Sequence, residues 1–150
     1  MHYSKCNIGY VVRAEIGEEI QEALRQFAQT VGLKGAFYSG IGTLTQVELA
    51  FFRSDTKHYD RRFFDGDYGL ISLTGNLSVC EEGIPILHTH ACLGDRLFNT
   101  YSGHLVRGVV SITAEIIVVE IDLALSRQED PILSYHGLIS PNRHYLKIDS

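Results

Sequence analysis

The chain has 150 residues, 45% of them hydrophobic and 21% charged, which suits one globular domain with a core of its own. Its formal net charge is −5 and its lysines and arginines are scattered without a basic run, so autonomous DNA binding through phosphate contacts is not expected. No stretch approaches the roughly 18 apolar residues of a membrane span, and the first residues lack the pattern of a secretory leader, which reads as a cytoplasmic protein.

In chain order, residues 8–14 read as a strand that leads through Gly17 into one amphipathic helix over about 18–31. Ile20, Ala23, Leu24, Phe27, Ala28 and Val31 recur at the spacing of a single helical face. Glu18 and Glu19 place negative charge in its first turn, and Gly32 stands where a helix stops. Almost everything after the helix has strand character. The predicted strands are 35–41, 44–53, 58–64, 68–79 and 84–92, with a polar turn from Ser54 to Lys57 and glycine punctuation at Gly66, Gly69 and Gly83. The run from Val109 to Ile121 is too rich in Val and Ile to prefer a helix and reads as a central strand. The core therefore spans about 8–122. Residues 126–150 hold two of the three prolines and much polarity, and read as a tail hugging the surface. Together these elements predict a single strand-rich α+β domain over 1–150.

Within the strand 84–92, His88 and His90 lie two residues apart, so they share a face with Cα atoms roughly 6.6 Å apart. Two imidazoles at that spacing can converge on one ion, because a Zn–N bond is only about 2 Å long. His104 follows the turn-like Gly94-Asp95 pair, and a chain returning antiparallel brings it beside them as a third ligand. Three neutral imidazoles with an open fourth position suit zinc best, with manganese, nickel or iron less favoured. The plain alternative is that each histidine is a partly buried polar group, since a His-x-His pair alone is common. Cys92 shares the face but lies about 13 Å from His88 along an extended strand, too far for one ion, and reads as a small buried hydrophobe. His2, His58, His136 and His144 lack a spaced partner and read as surface or structural residues. The three cysteines, Cys6, Cys80 and Cys92, form neither a disulfide framework nor a Cys-x-x-Cys pair, as expected of a reduced compartment.

Five stretches in order carry a family resemblance: Ser39-Gly40-Ile41-Gly42-Thr43-Leu44, Leu73-Thr74-Gly75-Asn76-Leu77, His88-Thr89-His90-Ala91 with Asp95, Ser102-Gly103-His104-Leu105, and Thr113-Ala114-Glu115-Ile116. Together they resemble the plants-and-prokaryotes-conserved (PPC) domain across roughly residues 8–122. Thr89 stands where that family often has Leu, and Ser102 where it often has Gly. The resemblance implies a strongly curved, largely antiparallel sheet, assembly as a homotrimer, and a metal held by His88, His90 and His104. Plant relatives join this domain to an Arg-Gly-Arg-Pro AT-hook. This chain has no such segment, so DNA binding is not carried over. The implied fold is also similar to that of acetolactate decarboxylase, a three-histidine zinc enzyme, although fold alone does not transfer an activity.

Other residues are weighed beside the histidines. Glu115 shares a face with Ser111 and Thr113 on strict alternation; it is the candidate general base or metal-supporting carboxylate, against a solvated polar face. Asp95, with Arg96 in the loop between the ligands, is expected either to orient a histidine or, more commonly, to cap the loop. Asn76 after Gly75 reads as a turn residue. Gly40-Ile41-Gly42 lacks the third glycine of a phosphate loop and reads as a bend between strands. Phe51-Phe52 and Phe63-Phe64 read as core and subunit packing; Arg61 and Arg62 precede the second pair, but Asp60 and Asp65 offset their charge.

Three functions follow. The first is a trimeric metal-binding protein whose open site takes a small anionic or carbonyl ligand. The second is a DNA-associated regulatory module. The third is a metal-dependent lyase or hydrolase-like enzyme.

Overall fold

The structure, a computed structural model, describes residues 1–129 and 135–139. Among the described residues, nine strands and one helix follow in the order β1 (His2–Cys6), β2 (Gly9–Glu15), α1 (Ile20–Val31), β3 (Ala36–Arg53), β4 (His58–Phe64), β5 (Tyr68–Val79), β6 (Pro85–Gly94), β7 (Thr100–Glu120), β8 (Ser126–Glu129) and β9 (His136–Ile139). Every strand pairing is antiparallel. Seven strands form one sheet in the order β1-β2-β7-β6-β5-β3-β4, and β3 also pairs with β7. That extra pairing closes β3, β5, β6 and β7 on one another, which demands the strong curvature expected of the fold. β8 and β9 make a separate hairpin. Among the described residues no helix is long and apolar enough to cross a membrane.

The helix begins two residues later than its charge pattern suggests. Glu19 is its cap: the carboxylate accepts from the backbone N–H of Gln21 (3.3 Å) and Glu22 (2.8 Å), satisfying donors that the first turn leaves open. Glu18 is held outside the helix because its carbonyl accepts from Val110 (2.9 Å), which keeps this segment extended against β7. Gly32 closes the other end at φ 76°, a left-handed conformation that favours glycine. Ile20, Leu24 and Phe27 are buried against the sheet, each stabilising by roughly 1.5–3 kcal/mol.

The two strands expected over 35–41 and 44–53 are one strand, β3, with irregular register at Gly40, Gly42 and Thr45. The bend expected at Gly40-Ile41-Gly42 is therefore a bulge inside a continuous strand. A Cβ at Gly42 would lie 2.3 Å from the Thr113 carbonyl oxygen, so only glycine lets β3 approach β7 this closely. The central run from Val109 is likewise the second half of a longer strand, β7, whose first half carries His104. β1 and the β8–β9 hairpin are not marked by apolar alternation in the sequence, since β1 is exposed throughout and β8 and β9 have no buried residue.

One polar chain runs through the apolar core. The Gln21 amide donates to the Leu105 carbonyl (2.7 Å), so its side-chain oxygen is free to accept from the Thr89 hydroxyl (2.6 Å). Thr89 in turn accepts from Tyr38 Oη (2.6 Å). Thr89 is wholly buried and Tyr38 nearly so, and burial pushes the Tyr38 phenol up to about 12. Each member has a partner, which is the condition for keeping such groups in a core. We expect Thr89→Val to cost about 1–3 kcal/mol, because it strands two buried polar groups. Tyr38→Phe should cost less in that background than in the natural chain, and urea unfolding of the four proteins in the cycle measures the difference.

Candidate metal centre

β6 alternates strictly. Thr89, Ala91 and Leu93 are buried, whereas His88, His90 and Cys92 face the other way. On that face the cross-strand register makes three rows. Asn76 of β5 stands opposite His88; Thr74, His90 and His104 line up across β5, β6 and β7; Ser72, Cys92 and Ser102 make the last row. The β6–β7 hairpin thus brings His104 directly opposite His90, as the spacing of the sequence implied. Ala50 of β3 completes the middle row beside His104.

The three rings converge. Their centroids lie 5.2 Å apart for His88 and His90, 5.2 Å for His88 and His104, and 5.6 Å for His90 and His104. One nitrogen from each falls within 4.8 Å of the other two. Three points that close fit inside a circle of radius about 2.8 Å, so small side-chain rotations bring all three to the roughly 2.0–2.1 Å of a Zn–N bond. Among the described residues no fourth His, Cys, Asp or Glu joins the cluster. The donor set therefore fits zinc, with a coordination position left over.

The rings form the floor of an open cavity of about 650 Å³. Phe51, Phe52 and Tyr59 of the β3–β4 ribbon make its apolar wall, and the Tyr59 ring lies 5.8 Å from that of His104. Tyr135, from the C-terminal hairpin, stands on another side. Burial is the first cause that pushes His88 down to about 4; the Arg127 guanidinium and the other two imidazoles add to it. His104 is lowered by burial and by His90, Arg127 and Arg61. Half-buried imidazoles beside other positive groups resist protonation, which favours the neutral, metal-binding form of His88 and His104.

The remaining sequence candidates are placed as follows. Cys92 lines the cavity, half-buried, but does not join the nitrogen cluster, so it is a wall residue instead of the buried hydrophobe expected. Glu115 is exposed on the far half of β7, opposite Arg13 and Ile41, and does not line the cavity. Asp95 caps its loop, accepting from the backbone N–H of Leu97 (2.8 Å) and Asn99 (2.9 Å) and from Tyr101 Oη (3.2 Å). Arg96 is exposed in the same loop. Asn76 holds no turn: it sits inside β5, where it accepts from Arg127. Phe51 and Phe63 are exposed, whereas Phe64 is core. His2 is exposed and lies 3.3 Å from Glu15, His58 and His136 are exposed, and His144 lies outside the described residues. Tyr135 lines the cavity although no local pattern marks it. Arg127 bonds Asn76, the residue opposite His88, through a contact spanning 51 positions.

The lowered His88 has a consequence for the metal-free protein. Unfolded, His88 takes a proton near its ordinary value of 6.5; folded, it does so only near 4. Between those values the unfolded chain binds more protons, so stability rises with pH across the window and is lost as pH falls through it. The urea midpoint of chelator-treated protein is expected to drop from pH 6.5 toward pH 4. His88→Gln should flatten part of that slope, and an unchanged slope would refute the assignment.

Comparison with known proteins places this geometry in a family. The family described as the Plants and Prokaryotes Conserved (PCC) domain matches residues 1–122. No curated protein matches the chain. Among solved structures, a plant- and prokaryote-conserved (PPC) protein from Pyrococcus horikoshii is 32% identical, with a TM-score of 0.80 and 97% of each chain covered. A protein from Bacteroides thetaiotaomicron, given the provisional description of DNA-binding protein, is 28% identical with a TM-score of 0.89, covering 94% of this chain and 98% of its own. A metal-containing protein from Archaeoglobus fulgidus shares the fold at 21% identity and a TM-score of 0.81, over 93% of this chain and 97% of its own. The chain belongs to the Plants and Prokaryotes Conserved domain family.

Proposed function

We propose that this chain is a metal-binding member of its family, holding zinc or a similar divalent transition metal on His88, His90 and His104. A fourth coordination position stays open to a small anionic or carbonyl ligand. The observation that carries this reading is the convergence of three imidazole nitrogens, within 4.8 Å of one another, on the floor of an open cavity. The metal-containing description of the Archaeoglobus relative agrees with it. Bound there, zinc would supply a Lewis acid and lower the pKa of a coordinated water to about 7. The chain's own residues orient the three rings and wall the cavity with Phe51, Phe52 and Tyr59.

The working unit in this reading is a homotrimer. Ile41, Ile71 and Ile112 are 57–70% exposed and line one shallow depression on the outer sheet face. Beside them the hydroxyls of Thr43 and Thr113 are shut off from solvent without a hydrogen-bond partner, as is Ser111. A contiguous exposed apolar patch like that of the isoleucines is what a contact with another copy of the chain would bury.

DNA binding, the description given to the Bacteroides relative, is not favoured by the charge distribution. Four surface arginines pair with acids: Arg13 with Glu15, Arg25 with Glu22, Arg53 with Asp55 and Arg61 with Glu48. Arg62 lies over the rings of Phe64 and Tyr101.

Metal analysis of untagged protein is expected to find about one equivalent per chain, falling to background in His88→Ala, His90→Ala and His104→Ala. Metal content unchanged by all three would sink the proposal. In light scattering the natural chain should run at three times its 16.8 kDa mass, and Ile112→Glu should lower that mass. A monomer at micromolar concentration would remove the trimer.

A further inference from the structure

The C-terminal hairpin brings a cation close enough to the histidines for its charge to act on His88 and His104. β8 packs on β5, and the Arg127 guanidinium donates to the side-chain oxygen of Asn76. Asn76 stands directly opposite His88 in the β5–β6 register, so their side chains are neighbours, with Cβ atoms roughly 4.5–5.5 Å apart. Arg127 also donates through Nε to Ser78 Oγ (3.1 Å) and through Nη1 to the His136 carbonyl (3.0 Å). All three acceptors are neutral. They fix the guanidinium in place without neutralising it. Among the described residues no carboxylate pairs with Arg127, and burial lowers its pKa. The same charge is felt at His88 and His104.

A half-buried guanidinium without a counter-ion is costly to maintain, and the cost is offset when an anion arrives. Three of its five N–H groups are used, which leaves two for a ligand. A metal held by the histidines would add a second positive centre. The cavity wall is aromatic, with Phe51, Phe52, Tyr59 and Tyr135. Two free donors suit two oxygens of a carboxylate or a phosphate alike, so it is the wall that favours an organic ligand over a bare phosphate. The rings suit an apolar or aromatic body.

We infer that the cavity binds small organic monocarboxylates with an apolar body, the carboxylate being held between Arg127 and the metal centre while the body lies on Phe51, Phe52 and Tyr59. This rests on the metal reading above and names its ligand class. Arg127 is a binding residue in it, anchored by Asn76 and Ser78.

The test uses the full chain loaded with cobalt, whose visible spectrum reports on the coordination sphere. Phenylacetate, acetate and inorganic phosphate are titrated in turn. Phenylacetate is expected to perturb the spectrum and to bind at least about tenfold more tightly than acetate or phosphate, a difference of about 1.4 kcal/mol. Arg127→Gln, which keeps an amide donor near Ser78, should weaken phenylacetate at least about tenfold while cobalt content stays unchanged. Arg127→Lys should restore part of the affinity. Phenylacetate binding equal in the natural chain and Arg127→Gln, or phosphate binding more tightly than phenylacetate, overturns the inference and leaves the metal site standing. Failure of the natural chain to take up cobalt overturns the metal reading and this inference with it.

Discussion

Thr89 is buried between two outward-facing histidines, and its hydroxyl is the middle link of the hydrogen-bond chain from Tyr38 through Gln21 to the Leu105 carbonyl. That chain ties α1 to β3, β6 and β7, the three strands that frame the histidines. Because side chains alternate along a strand, fixing Thr89 inward fixes His88 and His90 outward, and a slip of one residue would bury both rings. The Leu105 end works in the same way on β7, where Leu105 is buried and its neighbour His104 faces the cavity. A threonine at a core position the family often fills with leucine is therefore part of this chain's own way of setting its site. Its oxygen is matched by a helix glutamine and a strand tyrosine, so the polarity is satisfied instead of stranded.

β7 carries the rest of the architecture. It pairs with β2, β6 and β3, and the last of these contacts needs the glycines of β3 to let two backbones approach. Closing β3, β5, β6 and β7 on one another curves the sheet. The β3–β4 ribbon then overhangs the histidine face and supplies its aromatic wall. The outward half of the same strands, with Ile41, Ile71 and Ile112, is left apolar and open. One curved sheet thus presents two distinct faces: a polar floor of three histidines and an apolar surface of exposed isoleucines.

The electrostatics of the floor follow from packing. Burial first, and then neighbouring charges that include Arg127, make His88 and His104 harder to protonate. A neutral imidazole is the form that can coordinate a metal ion. Asn76 links the two halves, opposite His88 on one side and accepting from Arg127 on the other.

The amino-acid order by itself determined what depends on local periodicity. The helix face from Ile20 to Ala28, the outward pairing of His88 with His90, and the hairpin that returns His104 were all legible, because spacings of 3.6 and 2 residues project directly into space. It also determined the family, through five short stretches in order. Tertiary structure alone decided the rest. It merged two predicted strands into β3, because the Gly40–Gly42 bulge bends a strand without ending it. It moved Glu115 away from the histidines, since position along a long curved strand outweighs any preference for a carboxylate near a metal. It brought Tyr135 to the cavity and Arg127 onto Asn76, beside His88, across a separation in sequence that no periodicity encodes. Ligands that sit on one hairpin can be read from the chain, whereas neighbours brought by packing between distant segments exist only once the sheet has closed.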